Sequence, residues 1–182
     1  GALGVAAAAF AAAVLRVRPR SLALGLAAVA IGAPMAVPNA WTRLRPSKYK
    51  ALERTMQVAG TRVLAERSSP LGVVTVVESA QVPFRHAPGL SLNAPAGPPD
   101  QLGVFVDAEG PSALVRWDGR REPLAYLDYL TSALPYHLLA RPRVLVLGAG
   151  AAADVLQAIA LDAGAIDAVE QDPFIVELVE RR

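Results

Sequence analysis

The chain has 182 residues, of which 53% are hydrophobic and only 19% are charged. A soluble domain of this size carries about a quarter charged residues, so the composition predicts a membrane part joined to a more ordinary part. The absence of cysteine excludes disulfides, thiolate metal sites and cysteine nucleophiles, and the net charge of +2 is too small to indicate a nucleic-acid partner.

The first 41 residues are the most apolar part of the chain. Residues 1–15 carry no charged or polar side chain, and residues 22–40 are apolar apart from Asn39 and are followed by Trp41. A run of about 20 apolar residues spans a bilayer as a helix, and Trp is frequent at the interface. We predict transmembrane helices in residues 1–41, the first of them truncated. A signal-peptide core for the first run and a buried soluble helix for the second are the alternatives.

A basic segment follows the apolar runs. Seven Lys and Arg residues lie between Trp41 and Arg67, counting Arg67, and they outnumber the three that precede residue 22. Cations beside a membrane span favour the cytoplasmic side and bind anionic lipid. We therefore expect a juxtamembrane helix and linker over residues 42–69, with its helix at residues 47–65, in contact with membrane lipid. The rest of the chain is expected in the cytoplasm.

Residues 70–122 are predicted to form a small antiparallel β module. The β-branched run 73–77 indicates a strand, and residues 102–106 and 113–117 indicate a hairpin. Residues 81–101 are rich in Pro, Gly and Asn, which is typical of a loop.

From residue 123 the pattern changes to alternating helices and strands. The predicted elements are a helix over 123–139 interrupted by Pro135, a strand over 143–147, a helix over 154–163, a strand over 166–169 and a helix from 173. Such alternation is typical of parallel α/β sheets. Residues 123–182 are therefore predicted to be the start of a doubly wound, Rossmann-like domain that is truncated at its C-terminal end.

The most informative segment joins the strand 143–147 to the next helix through Gly148-x-Gly150. Glycines at such a turn let the backbone pass close to a bound nucleoside, and the helix N-terminus supplies free N–H groups. Glu170 follows Gly148 by 22 positions, at the end of the next strand, where a carboxylate can accept hydrogen bonds from both ribose hydroxyls. A helix-capping turn in an unrelated α/β protein is the plainer alternative.

Two ligand classes fit this segment. Gly148-x-Gly150-x-x-Ala153 also satisfies the dinucleotide fingerprint, so an NAD(P)-binding oxidoreductase is a rival. Asp154 in the first helical turn would repel a pyrophosphate, whereas a sulfonium cofactor is positively charged. We therefore predict S-adenosyl-methionine or its decarboxylated form as co-substrate, and no metal. The residues predicted to bind it are Gly148, Ala149, Gly150, Asp154, Glu170 and Gln171.

Residues 144–176 resemble the cofactor region of the polyamine aminopropyltransferases (spermidine synthases), in which Val-Leu-Val-x-Gly-x-Gly precedes Val-Glu-x-Asp-Pro. The segment 117–119 (Trp-Asp-Gly) resembles the family's Leu-Asp-Gly turn, and Tyr126-Leu-Asp128 stands where the family has Tyr-His-Glu. Apolar spans ahead of a β module resemble the membrane-fused spermidine synthase-like proteins of bacteria.

This resemblance implies a class I S-adenosyl-methionine-dependent methyltransferase-type fold in a multi-pass protein of the bacterial inner membrane. It implies transfer of an aminopropyl group to a small-molecule amine, as in polyamine biosynthesis, and it is compatible with a homodimer. Tyr126 and Asp128 are the implied substrate-binding residues, the alternative being a core aromatic residue and an ordinary surface acid.

The chain also departs from the family pattern. Ala151 stands where the family has an Asp that holds the substrate, Leu127 replaces the family's His, and the family's catalytic Asp would lie beyond residue 182. A methyltransferase of the same fold and a non-catalytic membrane module therefore stay open as alternatives. His86 and His137 lie 51 positions apart without an acidic partner at ligand spacing, and we interpret both as structural.

Overall fold

A computed structural model describes residues 46–181, so the membrane segments predicted in residues 1–41 lie outside the described range. The described chain contains a four-stranded antiparallel sheet followed by a parallel pair of strands. It therefore belongs to the mixed α/β class, as the sequence predicts. No helix within residues 46–181 is long and apolar enough to cross a membrane.

The elements of the described chain have the following bounds. The helices are α1 (Ala51–Met56), α2 (Leu134–Leu138), α3 (Ala153–Ala160) and α4 (Pro173–Glu180), and 3₁₀ helices cover Glu122–Tyr129 and Thr131–Ala133. The strands are β1 (Thr61–Ser69), β2 (Gly72–Ser79), β3 (Gln101–Val106), β4 (Glu109–Val115), β5 (Arg143–Leu147) and β6 (Ala165–Val169). Strands β1 to β4 pair in sequence order, and β5 pairs with β6.

The antiparallel sheet has apolar side chains on both faces, which alternate along each strand. Val76 of β2 and Val104 of β3 face one side, where they share a cluster with Ile175 of α4. Val77 and Phe105 face the other side, which α1 covers. Each such buried side chain contributes about 1.5–3 kcal/mol of hydrophobic stabilisation. The first face thus joins the β module to the helices that follow it.

The predicted hairpin over residues 102–106 and 113–117 is confirmed, but its turn is shorter than expected. Asp107 and Ala108 both take a left-handed backbone, with φ of 50° and 64°. Two left-handed residues form the tight turn whose twist matches paired strands. Strand β4 therefore begins at Glu109, directly after the turn, and pairs along β3 from there.

The helix predicted over residues 47–65 is found only at Ala51–Met56. From Thr61 the chain forms β1, which pairs with β2 in antiparallel register. The basic segment therefore supplies an edge strand, and Arg62 forms an ion pair with Glu78 of β2. The β module thus begins at Thr61 and not at residue 70. The helix propensity of this segment is weak. Pairing of β1 with β2 satisfies the backbone hydrogen-bonding groups over a longer stretch than the helix would, so the strand forms instead.

The helix predicted over residues 123–139 is also divided. The chain forms a 3₁₀ helix at Glu122–Tyr129 and passes through an extended Leu130, with ψ of 149°. Pro135 then lies in the first turn of α2, where its missing N–H is harmless. The proline therefore begins a helix instead of interrupting one.

The predicted strand, helix and strand after residue 143 are confirmed as a parallel unit. Strands β5 and β6 pair from Arg143 with Ala165 to Leu147 with Val169, and α3 connects them. Leu145, Leu147 and Val169 are exposed. The carboxyl ends of both strands lie side by side, so the segments that leave them meet at one edge.

Candidate functional site

The turn between β5 and α3 has a left-handed backbone at three positions. The φ angle is 69° at Gly148, 53° at Gly150 and 66° at Ala152. Glycine adopts this conformation freely, whereas an alanine there costs roughly 1–2 kcal/mol. A Cβ atom at Gly148 would meet no atom of the described residues within 4 Å. The turn is therefore tight but open at Gly148, which allows a ligand to approach its backbone.

Hydrogen bonds hold this turn against the end of β6. The N–H groups of Gly148 and Ala149 donate to the Val169 carbonyl oxygen at 2.8 and 3.0 Å. The Gly150 N–H donates to Oε2 of Glu170 at 2.8 Å. The structure thus brings the glycine turn and the strand-end acid, both predicted as cofactor-binding, into direct contact.

The second oxygen of the Glu170 carboxylate holds the segment that leads into α4. Oε1 accepts the Asp172 N–H at 2.9 Å. Asp172 is buried, and its side chain caps α4 by accepting the Phe174 N–H at 2.8 Å. Gln171 between them is exposed. A carboxylate has about four acceptor positions, so Glu170, which is half-buried, still has capacity for ligand hydroxyls.

Strand β4 supports the glycine turn from the β module. The Ala151 N–H donates to Ser112 Oγ at 3.1 Å, and Ala151 is 1% exposed. Its methyl group joins the apolar cluster that contains Leu114 and Ile175. Sequence analysis missed Ser112, because nothing in the local pattern of β4 marks a contact with a turn 39 residues away.

Asp154 lies exposed in the first turn of α3, beside this edge of the parallel pair. Burial raises the pKa of Tyr136, and the negative charge of Asp154 raises it further.

The 3₁₀ helix Glu122–Tyr129 runs antiparallel to α3. At one end, Arg121 forms an ion pair of 2.6 Å with Asp162, which follows α3. Farther along, Nε2 of Gln157 donates to the Leu127 carbonyl oxygen at 2.8 Å. Residues 121–127 therefore run along α3 toward the glycine turn, and Asp128 is the next residue.

Asp128 contacts a histidine that sequence analysis treated as structural. Its Oδ1 lies 2.6 Å from Nε2 of His137, with 42% and 56% of the two side chains exposed. Sequence analysis found no acidic partner for His137 at ligand spacing, and the structure supplies Asp128 from nine residues away. A spacing of nine residues does not juxtapose side chains on a continuous helix, but the break at Leu130 folds α2 back toward Asp128.

Tyr126 and Leu127 lie inside the protein. Tyr126 is 3% exposed and Leu127 is 1% exposed, in a cluster with Leu124 and Leu156. Burial raises the pKa of the Tyr126 phenol. Of the two predicted substrate-binding residues, Asp128 therefore has the accessible side chain, whereas Tyr126 is in the position of the core aromatic residue that the sequence left as an alternative.

Neither a metal-binding group nor the cavity of about 320 Å³ in residues 46–181 lies at this edge. Residues 46–181 contain no group of three or more His, Asp or Glu side chains that could hold a metal ion. A cavity of about 320 Å³ lies elsewhere, at the end of the antiparallel sheet, and its lining includes Glu78, Asp100 and Arg116. None of the predicted cofactor-binding residues is among the residues that line it.

Comparison with known proteins gives no match to a family model, to a curated protein or to a solved structure. The function proposed for this edge is therefore derived from its own residues and from the resemblance in its motifs.

Proposed function

We propose that the edge formed by residues 148–154 and 170–172 binds the adenosyl part of a sulfonium cofactor, S-adenosyl-methionine or its decarboxylated form. The hydrogen bond from Gly150 N–H to the Glu170 carboxylate, 2.8 Å long, is the main support. It sets an acid beside an open glycine turn at the carboxyl ends of two parallel strands. Ligands of open α/β sheets bind at such ends.

The Glu170 carboxylate is suited to accept hydrogen bonds from the hydroxyl groups of a ribose. Each of its oxygens already accepts one backbone N–H, so the carboxylate is fixed in place while further lone pairs remain for two neighbouring hydroxyls. The open space at Gly148 leaves room for the sugar to lie against the backbone. A preoriented carboxylate loses little side-chain entropy when the ligand binds.

The negative charge at this edge favours binding of a sulfonium cofactor over binding of a dinucleotide. A pyrophosphate needs free N–H groups at the turn, but Gly150 N–H is bonded to a carboxylate and Ala151 N–H to Ser112. Glu170 and Asp154 add negative charge where the pyrophosphate would lie. The same charges attract a cation, which supports an adenosyl sulfonium.

The proposed activity is aminopropyl transfer by a membrane-anchored, spermidine synthase-like enzyme of the bacterial inner membrane. The order of a hairpin-rich β module, a short helical connection and a βαβ unit supports this, as does the exposed acid at Asp128. The fold proposed for the whole domain is a doubly wound, methyltransferase-type sheet of which β5 and β6 are the first two strands. Residues 1–41 would anchor it, with the α/β part in the cytoplasm.

A methyltransferase of the same fold is the second candidate. Ala151 and Leu127 stand where the polyamine family has substrate-holding residues, and both are buried apolar side chains. They offer no charge to a polyamine, so a different acceptor remains compatible with the same cofactor.

Product analysis separates these candidates. The full chain, in membranes from the expressing cells, is incubated with decarboxylated S-adenosyl-methionine or S-adenosyl-methionine and a panel of primary amines. Mass spectrometry is expected to show acceptors that gain an aminopropyl group with the decarboxylated cofactor only. Acceptors that gain a methyl group with S-adenosyl-methionine would support the second candidate. Membranes containing Glu170→Ala are the control for activity of the host.

A further inference from the structure

We infer that His137, oriented by Asp128, accepts the proton from the ammonium group of the acceptor substrate. This inference rests on the proposed transfer to an amine, because only that reaction requires an ammonium to become a free amine. It rests on the contact of 2.6 Å between Nε2 of His137 and Oδ1 of Asp128 and on the place of both residues in the fold.

The contact with Asp128 selects the basic nitrogen of the imidazole ring. An ionised carboxylate can only accept hydrogen bonds, so Nε2 must carry the hydrogen that lies between the two groups. In the neutral ring Nδ1 then has the free lone pair. More than half of the His137 side chain is exposed, so a substrate can reach it. The carboxylate also stabilises the imidazolium that forms when Nδ1 takes a proton.

The pair lies beside α3. Arg121 pairs with Asp162 after the C-terminal end of this helix, whereas Leu127 bonds Gln157, which is nearer to the glycine turn. Residues 121–128 therefore run along α3 toward that turn, and His137 contacts the last of them.

The groups around His137 favour a cationic substrate. Asp128 contributes an exposed carboxylate in direct contact with the ring. This carboxylate would attract an ammonium group toward His137. The substrate class is accordingly a primary aliphatic amine, bound as its ammonium ion.

The proposed step moves one proton and one aminopropyl group. Nδ1 of neutral His137 takes one proton from the ammonium, which gives an imidazolium and a neutral amine with a lone pair. The amine nitrogen attacks the propyl carbon bonded to the sulfonium sulfur. The carbon–nitrogen bond forms as the carbon–sulfur bond breaks, and the bonding electron pair stays on sulfur as a neutral thioether. The product is a secondary ammonium, and the imidazolium releases its proton to water.

His137→Ala in the full chain tests the assignment, with His86→Gln as the matched control at the only other histidine. We expect the transfer rate at saturating decarboxylated S-adenosyl-methionine to fall about 100-fold or more in His137→Ala. Added imidazole is expected to restore part of it, which a structural role would not produce. The dissociation constant for the cofactor is expected to stay unchanged, and His86→Gln is expected to transfer at the wild-type rate.

Asp128→Asn provides a second variant, because it keeps the side-chain shape but removes the charge that stabilises the imidazolium. Its transfer rate is expected to fall about tenfold or more with unchanged cofactor binding. Transfer within threefold of wild type in both His137→Ala and Asp128→Asn would overturn this inference alone. Absence of cofactor binding and transfer in the wild-type protein would overturn the proposed function, and this inference with it.

Discussion

Glu170 and Gly150 are joined by a hydrogen bond of 2.8 Å that crosses the carboxyl ends of two parallel strands. The same carboxylate accepts the Asp172 N–H, so one side chain fixes both segments of the candidate site. Glu170 therefore has a structural role as well as a proposed ligand-binding role. Unfolding and hydrogen-exchange experiments measure the first role, and ligand titration measures the second.

Replacing Glu170 with Ala should remove both hydrogen bonds. Because hydrogen bonds to charged groups contribute about 1.5–3 kcal/mol each and this site is half-buried, we expect the free energy of unfolding to fall by about 1–3 kcal/mol. Glu170→Gln keeps one acceptor oxygen and should lose less. Urea denaturation measures the loss, and hydrogen exchange should accelerate at the Gly150 and Asp172 amides. Unchanged exchange at both amides in Glu170→Ala would contradict the contact.

Asp154 and Asp162 are both exposed acids, one in the first turn of α3 and the other just past its end, where it pairs with Arg121. A carboxylate near a bound cation at the surface contributes up to about 1 kcal/mol, which is roughly a fivefold change in affinity. Asp154→Asn should therefore weaken binding of S-adenosyl-methionine about threefold to fivefold, and Asp162→Asn should not.

Calorimetric titration of both variants, at low salt and at about 0.5 M salt, measures this effect. High salt should reduce the difference, because it screens exposed charges. Equal affinities of the two variants, or tighter binding by Asp154→Asn, would show that the bound group near α3 is not a cation.

His86 is expected to make stability depend on pH. Burial lowers its pKa below the usual value of 6.5. The unfolded chain therefore binds this proton more readily than the folded chain, so acid favours unfolding. The stabilising contribution is complete above about pH 6.5 and is lost as the pH falls through 6.5 toward the lowered folded pKa.

Thermal unfolding of wild type, His86→Gln and His137→Gln between pH 7.5 and pH 5 checks this direction. His86→Gln should lose less stability on acidification than wild type does, because Gln does not titrate. His137→Gln removes the other histidine together with its contact with Asp128, so it measures the part of the acid effect that belongs to that pair. If His86→Gln and wild type lose equal stability over this range, the burial of His86 has no consequence for folding.

The sequence predicted those elements whose signal is local. The β-branched run of β5, the glycines at 148 and 150 and the acid at 170 each follow from strand composition or turn chemistry, and the structure assembles them at one edge. The hairpin of β3 and β4 was likewise predictable, because it joins two apolar runs across a polar turn.

The features that the sequence did not predict depend on contacts between distant residues. Strand β1 is specified by its pairing with β2, and its own residues resemble a helix about as well as a strand. The pairing of Asp128 with His137 requires the break at Leu130, which propensity alone does not reveal. For Tyr126 the sequence left a substrate-binding residue and a core aromatic residue as alternatives, and only the packing shows that it is buried.

The most direct test of the central claim is an equilibrium titration of the full chain, in membrane vesicles or detergent, with three ligands in parallel. We predict that decarboxylated S-adenosyl-methionine and S-adenosyl-methionine bind, with the decarboxylated form preferred, and that NADH does not. The Glu170→Ala variant should weaken sulfonium binding about tenfold or more, because it loses the charge-assisted bonds to the ribose. Tight binding of NADH with no binding of either sulfonium would contradict the account.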